Sequence, residues 1–415
     1  MQLLAILVPV VFGFMGFAID LARLYLIRGE LQAAANSAAL AGASRLMGND
    51  VALTEAAAQA QFSFDAENSF ANKYDFGAVT IGQGTGFLNS EAPALTFFET
   101  MAAATGDGEA GEAAGATAKY AKVTITADAP LLFFSFLPIA SERKTPIRVS
   151  AVAGVSAPLC TACGIEPIAL GALDPADLVD FGFVKNTRYT LGYVCNGTPT
   201  PSGVAGAQRV EYIMLNRYNE EAVLYPDESS QAFRIGAQGM LPTATADNPT
   251  DPSTFARRAC MTVTTDEVSW VNAAPLNCNA NRVPGPVSAF LCGLSMRFDT
   301  AVQANCVNVA DVDAMAALYQ VDTDITDLED YAAYAGNGRR IITVAIVETP
   351  STGPVQALGF RQFLVQPDPG STTVTASDSN GRFVATYIGS VMPLKQGRFD
   401  GCQLAAGPGK VVLHR

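Results

Sequence analysis

Histidine is nearly missing from this chain. Of 415 residues only His414, beside the C-terminal Arg415, is a histidine. That scarcity excludes Ser-His-Asp triads and Cys-His dyads unless this penultimate residue folds back into a cleft. It also excludes histidine-based zinc sites. A histidine so placed reads as part of a solvated tail. Tryptophan is as scarce: Trp270 stands alone, where a carbohydrate binder would show clustered exposed aromatics. No basic run of five or more occurs, and 39 acidic residues against 26 basic ones leave a formal charge of −13. Such a chain repels phosphate backbones, so nucleic acid is not an expected partner. Neither a Walker A sequence nor a GxSxG elbow is present, so nothing points to an ATPase or a serine hydrolase. No carboxylate constellation suggests acid–base work, and no small-molecule substrate or cofactor is evident.

What is abundant is apolar and small. Hydrophobic residues make up 49% of the chain and charged ones only 16%. That mixture suits a β-rich exported protein, and the length suffices for two or three domains. Eight cysteines, Cys160, Cys163, Cys195, Cys260, Cys278, Cys292, Cys306 and Cys402, all lie in the last two thirds. An even count fits disulfides formed in an oxidising compartment, with connectivity left open. Cys160-Thr161-Ala162-Cys163 is a CxxC pair. Redox use needs a strand-to-helix setting that the flanking sequence does not offer, and a four-cysteine zinc site wants a second close pair. The structural reading is preferred, with Cys160 and Cys163 bonded to each other or to separate partners.

The N-terminus is the most informative stretch. Leu3 to Ile19 is uncharged and mostly apolar, and Met1 to Ile19 as a helix is about 28 Å long, close to the hydrocarbon thickness of a bilayer. Pro9 is tolerable there. Asp20 marks the expected water boundary, with Arg23 one turn on along the same face. Helical spacing then continues through Phe14, Phe17, Leu21, Leu24, Arg28, Leu31, Ala35, Ala38 and Gly42, with side chains that shrink along the series. Leu24, Leu31, Ala35, Ala38 and Gly42 form a stripe expected to admit close approach of another helix. No basic n-region or small-residue cleavage site brackets the apolar run, so it reads as an uncleaved anchor.

The residues Pro9-Val10, Ala18-Ile19-Asp20, Ala22-Arg23, Glu30-Leu31-Gln32 and Ala34-Ala35-Asn36-Ser37-Ala38-Ala39-Leu40-Ala41-Gly42-Ala43 together resemble the N-terminal segment of TadE/TadG-like proteins of Flp (Tad) pilus systems. The resemblance implies one membrane helix, an exported body and involvement with a pilus or its assembly. It also implies a place in the bacterial inner membrane, single-pass, with the bulk periplasmic or extracellular. Larger members carry a von Willebrand A domain with a D-x-S-x-S metal site; this chain has no such motif.

The remainder reads as α+β. A helix is expected over 51–72, then strands at 77–82, 94–100, 119–128 and 145–155, with 130–139 as a buried strand or short helix and 101–117 as a loop. Beyond residue 156, Asp174-Pro175-Ala176-Asp177 reads as a helix start, and strands are expected at 339–349, 355–367 and 382–394. The acidic run Asp322–Asp330 has oxygen ligands at alternate positions, but Asp327 and Ala333 break the EF-hand pattern. Acid at a helix start is preferred to Ca²⁺ there.

The expected architecture is thus α+β. Residues 1–48 form a transmembrane and emerging Ala-rich helix, 49–155 a small α+β exported domain, and 156–415 a β-rich, disulfide-stapled exported region. The expected function is that of a non-enzymatic, membrane-anchored envelope protein of a Tad-type pilus system, an assembly component or minor pilin-like subunit. Its expected partners are the lipid bilayer and other membrane or pilus subunits, reached through the N-terminal helix. The alternatives are an accessory structural subunit of another bacterial membrane complex and, behind it, an exported enzyme or binder.

Overall fold

The computed structural model describes residues 2–66, 95–106, 115–133, 144–194, 208–215, 261–264, 267–268, 285–295, 297–298, 321–322, 324, 331–350, 354–367, 381–394, 397–399 and 401–414. Two compact units are present. One is Met1–Val155 with Val411–Arg415; the other is Ser156–Lys410. The chain is α+β, with a long apolar N-terminal helix, a small α+β unit and a β-rich unit stapled by a disulfide.

The first unit begins with α1 (Gln2–Ala43), 42 residues without a break. At 1.5 Å per residue it is about 63 Å long. Leucine and alanine favour this conformation throughout, and a turn around Gly48, at φ +69°, ends it. Helix α2 (Ala52–Ala66) then folds back on α1. Four antiparallel strands follow: β1 (Leu95–Phe98), β2 (Tyr120–Pro130), β3 (Lys144–Val155) and the last strand of the chain, Val411–His414. Strands β2 and β3 form a long hairpin in which Tyr120 faces Gly154 and Pro130 faces Lys144.

Period-two alternation places Ala121, Val123, Ile125, Ala127 and Ala129 of β2, with Val149, Ala151 and Ala153 of β3, in one buried cluster with the inner face of α1. Small residues meet on both sides. A Cβ on Gly42 would lie 3.3 Å from the Ala56 carbonyl, 3.5 Å from the Ala60 Cβ and 3.8 Å from the Ala121 Cβ. Ser37 and Ser63 hydroxyls hydrogen-bond at 2.8 Å between the helices, and Gln32 donates to the Ser150 carbonyl of β3 at 2.8 Å.

The second unit contains β4 (Thr161–Ala162), β5 (Ile168–Gly171), β6 (Arg188–Tyr193), β7 (Gln208–Met214), β8 (Met261–Thr262), β9 (Glu267–Val268), β10 (Ile341–Val347), β11 (Val355–Gln366), β12 (Phe383–Gly389) and β13 (Gly397–Arg398). Pairing runs β10-β5-β7-β6-β12-β11, and β11 pairs again with β10, so six strands close on themselves. Two of the pairings, β5 with β10 and β6 with β7, are parallel. Closure leaves these strands no free edge. Tyr189, Tyr212, Phe290, Phe360, Phe363, Phe383 and Tyr387 are buried in its core. Phe290 comes from the helix Gly285–Ser295 and meets Phe383 edge-on at 5.8 Å.

A small sheet of β13, β4 and β8 carries the Cys160–Cys402 disulfide, which spans 242 residues. Cys163 is also disulfide-bonded, and Cys160 is committed to Cys402, so the two cysteines of the CxxC do not bond each other. Cys292 lies on the helix Gly285–Ser295. Cys195, Cys260, Cys278 and Cys306 fall outside the described residues, as do Trp270 and the strand expected at 77–82.

Several expectations are corrected. The final strand belongs to the first unit's sheet, not to the region after 156, because it pairs Val411–His414 with Val155–Val152. His414 is accordingly a strand residue, set edge-on to Tyr120 at 5.2 Å, and not a solvated tail. Residues 131–133 form a turn with Leu132 and Phe133 exposed, where a buried segment was expected. Residues 134–139 of that stretch lie outside the described residues.

Asp174–Asp177 starts no helix. Asp177 instead folds a tight loop, its carboxylate accepting from the N–H groups of Val179, Asp180 and Gly182. Those bonds hold its carboxyl below the usual range. Arg361, buried beneath, donates to the Val179 carbonyl from Nε and to Leu178 from Nη2, and its guanidinium lies 4.4 Å from the Phe181 ring centroid.

Candidate functional site

Helix α1 changes its surroundings along its length. Val10, Val11, Phe12, Phe14 and Met15 are all exposed. Consecutive positions span more than one turn, so this stretch is bare on every side. From Gly16 onward one face is covered by the protein and the other is not. Phe17, Ile19, Leu21 and Leu26 stay about half exposed, and Tyr25 is 78% exposed. Among the described residues one helix is long and apolar enough to cross a membrane, with its window of mean hydropathy 1.8 falling in Val10–Ala43. A continuous exposed band of this kind is unfavourable in water by roughly 25 cal/mol per Å² of apolar surface.

Asp20 sits where the covering begins. It is 4% exposed. Its Oδ1 accepts the backbone N–H of Leu132 at 3.0 Å and of Phe133 at 3.2 Å, and its Oδ2 accepts that of Phe133 at 3.0 Å. One turn earlier, Gly16 lies against Phe133, so close that a Cβ there would come within 2.8 Å of the Phe133 Cβ. The carboxylate thus fastens Leu132 and Phe133, just past the end of β2, to the helix. Arg23 follows one turn on, half-buried.

The stripe expected to receive another subunit is already occupied. Leu31, Ala35, Ala38 and Gly42 are buried, and Leu24 is partly so, against α2 and the sheet of the same chain. The close-packing chemistry is as the residues implied, but the helix that uses it is α2. The exposed apolar face from Leu7 to Leu26 is the surface left over.

Among its described residues the second unit buries several charged groups. Glu166 and Arg297 form an ion pair with almost no exposure. Burial outweighs the pull of Arg297 and lifts the Glu166 carboxyl to about 7. Asp322 accepts from the Tyr334 hydroxyl and from the N–H of Arg340 at 3.3 Å and of Asp324 at 3.1 Å. Arg340 donates to the Val365 carbonyl and to Gln366. Asp324 accepts the Ala335 N–H at 2.7 Å. The first two acids of the Asp322–Asp330 run therefore serve as acceptors for the chain's own donors. Among the described residues no group of three or more His, Cys, Asp or Glu is placed to hold a metal ion.

Residues 1–45 match the family model for Flp pilus-assembly TadE/G-like proteins. The matched segment is α1 with the turn that follows it, so the TadE/G-like part of the chain is the helix whose outer face is apolar and whose inner face carries the first unit. The match, confined to these residues, makes the N-terminus similar to that of Tad pilus-related membrane proteins, and the N-terminal helix fits a membrane anchor. No curated protein and no solved structure matches the chain. Sequence reasoning had found Asp20 but not its partners, because Leu132 and Phe133 are 112 and 113 residues away.

Proposed function

We propose that this chain is a non-enzymatic, membrane-anchored component of a Tad-type pilus system, an assembly component or minor pilin-like subunit. Helix α1 crosses the bacterial inner membrane once, and both compact units lie on the exported side. The observation that carries this reading is the division of α1. Its residues 10–15 are bare and largely apolar, while its later turns form the core of a folded unit. A helix built in this way passes directly from lipid, or from a bundle of like helices, into its own domain.

The contact with other subunits runs through the exposed apolar face between Leu7 and Leu26, since the alanine stripe is consumed within the chain. Disulfides in the second unit support export to an oxidising compartment. The chemistry left to the described charged groups is positional: each buried arginine and acid holds a loop or strand end. Shearing filaments from native cells and identifying their proteins by mass spectrometry tests the reading. Presence of this chain in the filaments makes it a subunit. Retention in the inner membrane with pilus-assembly proteins makes it an assembly component. Retention with an unrelated complex overturns the assignment to the pilus.

A further inference from the structure

Just past the end of β2 are apolar side chains that the fold leaves uncovered. Leu132 and Phe133 are each 47% exposed. They stand beside α1 at the level of Gly16 and Asp20. The helix itself gives the depth scale. Phe12, Phe14, Phe17, Ile19 and Leu21 are exposed and apolar, then come the exposed Tyr25 and the exposed Arg28. Aromatic hydroxyls and basic groups in that order mark a headgroup layer. Gly16 lies nine residues before Tyr25, about 14 Å deeper at 1.5 Å per residue. Phe133, beside Gly16, is therefore beside the hydrocarbon band of the helix.

The backbone agrees. In water a turn leaves its N–H groups to solvent. In lipid each unpaired N–H costs several kcal/mol, so non-helical backbone persists only where protein satisfies it. Here the N–H groups of Leu132 and Phe133 both go to Asp20, whose carboxylate is itself hidden from solvent. A buried acid on an apolar helix is costly unless it is fully hydrogen-bonded, and these donors supply those bonds. Asp20 and these two N–H groups thus satisfy each other, and Leu132 and Phe133 present apolar side chains outward.

We propose that Leu132 and Phe133, just past the end of β2, enter the bilayer alongside α1 and contact lipid acyl chains, so that the first unit holds the membrane at two places. This rests on the reading of α1 as a membrane anchor. Two contacts fix the tilt and rotation of the unit on the membrane, which a single helix with a free domain does not.

The test uses the native full-length chain in phosphatidylethanolamine–phosphatidylglycerol vesicles containing a phosphatidylcholine with a photoactivatable diazirine in its acyl chain. Labelled residues are mapped by mass spectrometry. Phe14 reports the anchor, and Phe62, 68% exposed on α2, reports background. The expected result is labelling of Leu132 and Phe133 comparable to that of Phe14, with Phe62 at background. Labelling of Phe14 with Leu132 and Phe133 at background overturns the insertion of these two residues and leaves the anchor standing. Labelling of none of these residues overturns both. Because no substitution is made, a folding defect cannot mimic either outcome.

Discussion

Asp20 was legible as a boundary, but its role is set by geometry that no local pattern carries. Replacing it by Ala leaves the N–H groups of Leu132 and Phe133 without their acceptor. Loss of the bonded pair costs about 1–3 kcal/mol, and amide exchange at Leu132 and Phe133 in detergent micelles is expected to quicken while that of β2 at Val123 and Ile125 does not. At Glu166 the effect is one of pH. The folded unit holds this carboxyl's proton up to about 7, whereas the unfolded chain releases it at the ordinary value of 4.5. Between those values the native state binds more protons, so stability falls as pH rises through the window and levels off above it. The span is on the order of 3 kcal/mol. Glu166→Gln does not titrate, and its thermal midpoint across the same window is expected to lose that slope. Above about pH 7, where Glu166 is ionised, the variant also takes away the counter-charge of Arg297.

Helix α1 and the β2–β3 hairpin show what a sequence discloses about elements. The spacing from Phe14 to Gly42 predicted the helix and its small-residue face, and β3 was expected at 145–155 and found at Lys144–Val155. These signals are local: period and side-chain size are written within one segment. Which element meets the small face is not. Ala35 and Ala38 say only that something comes close, and the fold supplies α2 and β2. At Gly42 the space is filled by Ala56, Ala60 and Ala121. Gly42→Leu is expected to overpack this contact and cost about 1–3 kcal/mol, whereas Ala33→Leu, on the exposed face, changes stability little. Chemical denaturation of the two variants in the same detergent checks this, and equal effects would return the stripe to a surface role. At 131–133, the described start of the apolar stretch, the structure differs from the expectation for a related reason. The apolar composition of the stretch implied burial in protein, yet Leu132 and Phe133 are exposed; apolar side chains next to a membrane helix need not be covered by the chain that carries them.

Across the whole molecule the strand runs of the second unit were readable, and their closure was not. β10, β11 and β12 announced themselves by apolar runs near residues 341–347, 355–366 and 383–389. The parallel partnership of β5 with β10, some 170 residues later, leaves no mark in either segment. The same holds for the closing strand Val411–His414, which returns to the first unit after the entire second one. The Cys160–Cys402 bridge ties the start of the second unit to its end. A loop of that length contributes up to about 5 kcal/mol in the chain-entropy account. Cys160→Ser with Cys402→Ser is therefore expected to make the second unit sensitive to proteolysis at temperatures where the native chain resists, with α1 still in the membrane.

The central claim is that α1 is a membrane anchor that becomes the core of an exported unit. Proteinase K added to spheroplasts that carry the native chain, followed by mass spectrometry of what survives, tests it directly. The account predicts a protected N-terminal fragment containing Phe12 to Ile19, with both units reachable from the outside once unfolded by mild heat. Digestion of Phe12 to Ile19 together with the rest, or protection of the second unit in intact spheroplasts that persists after the same heating, would contradict it.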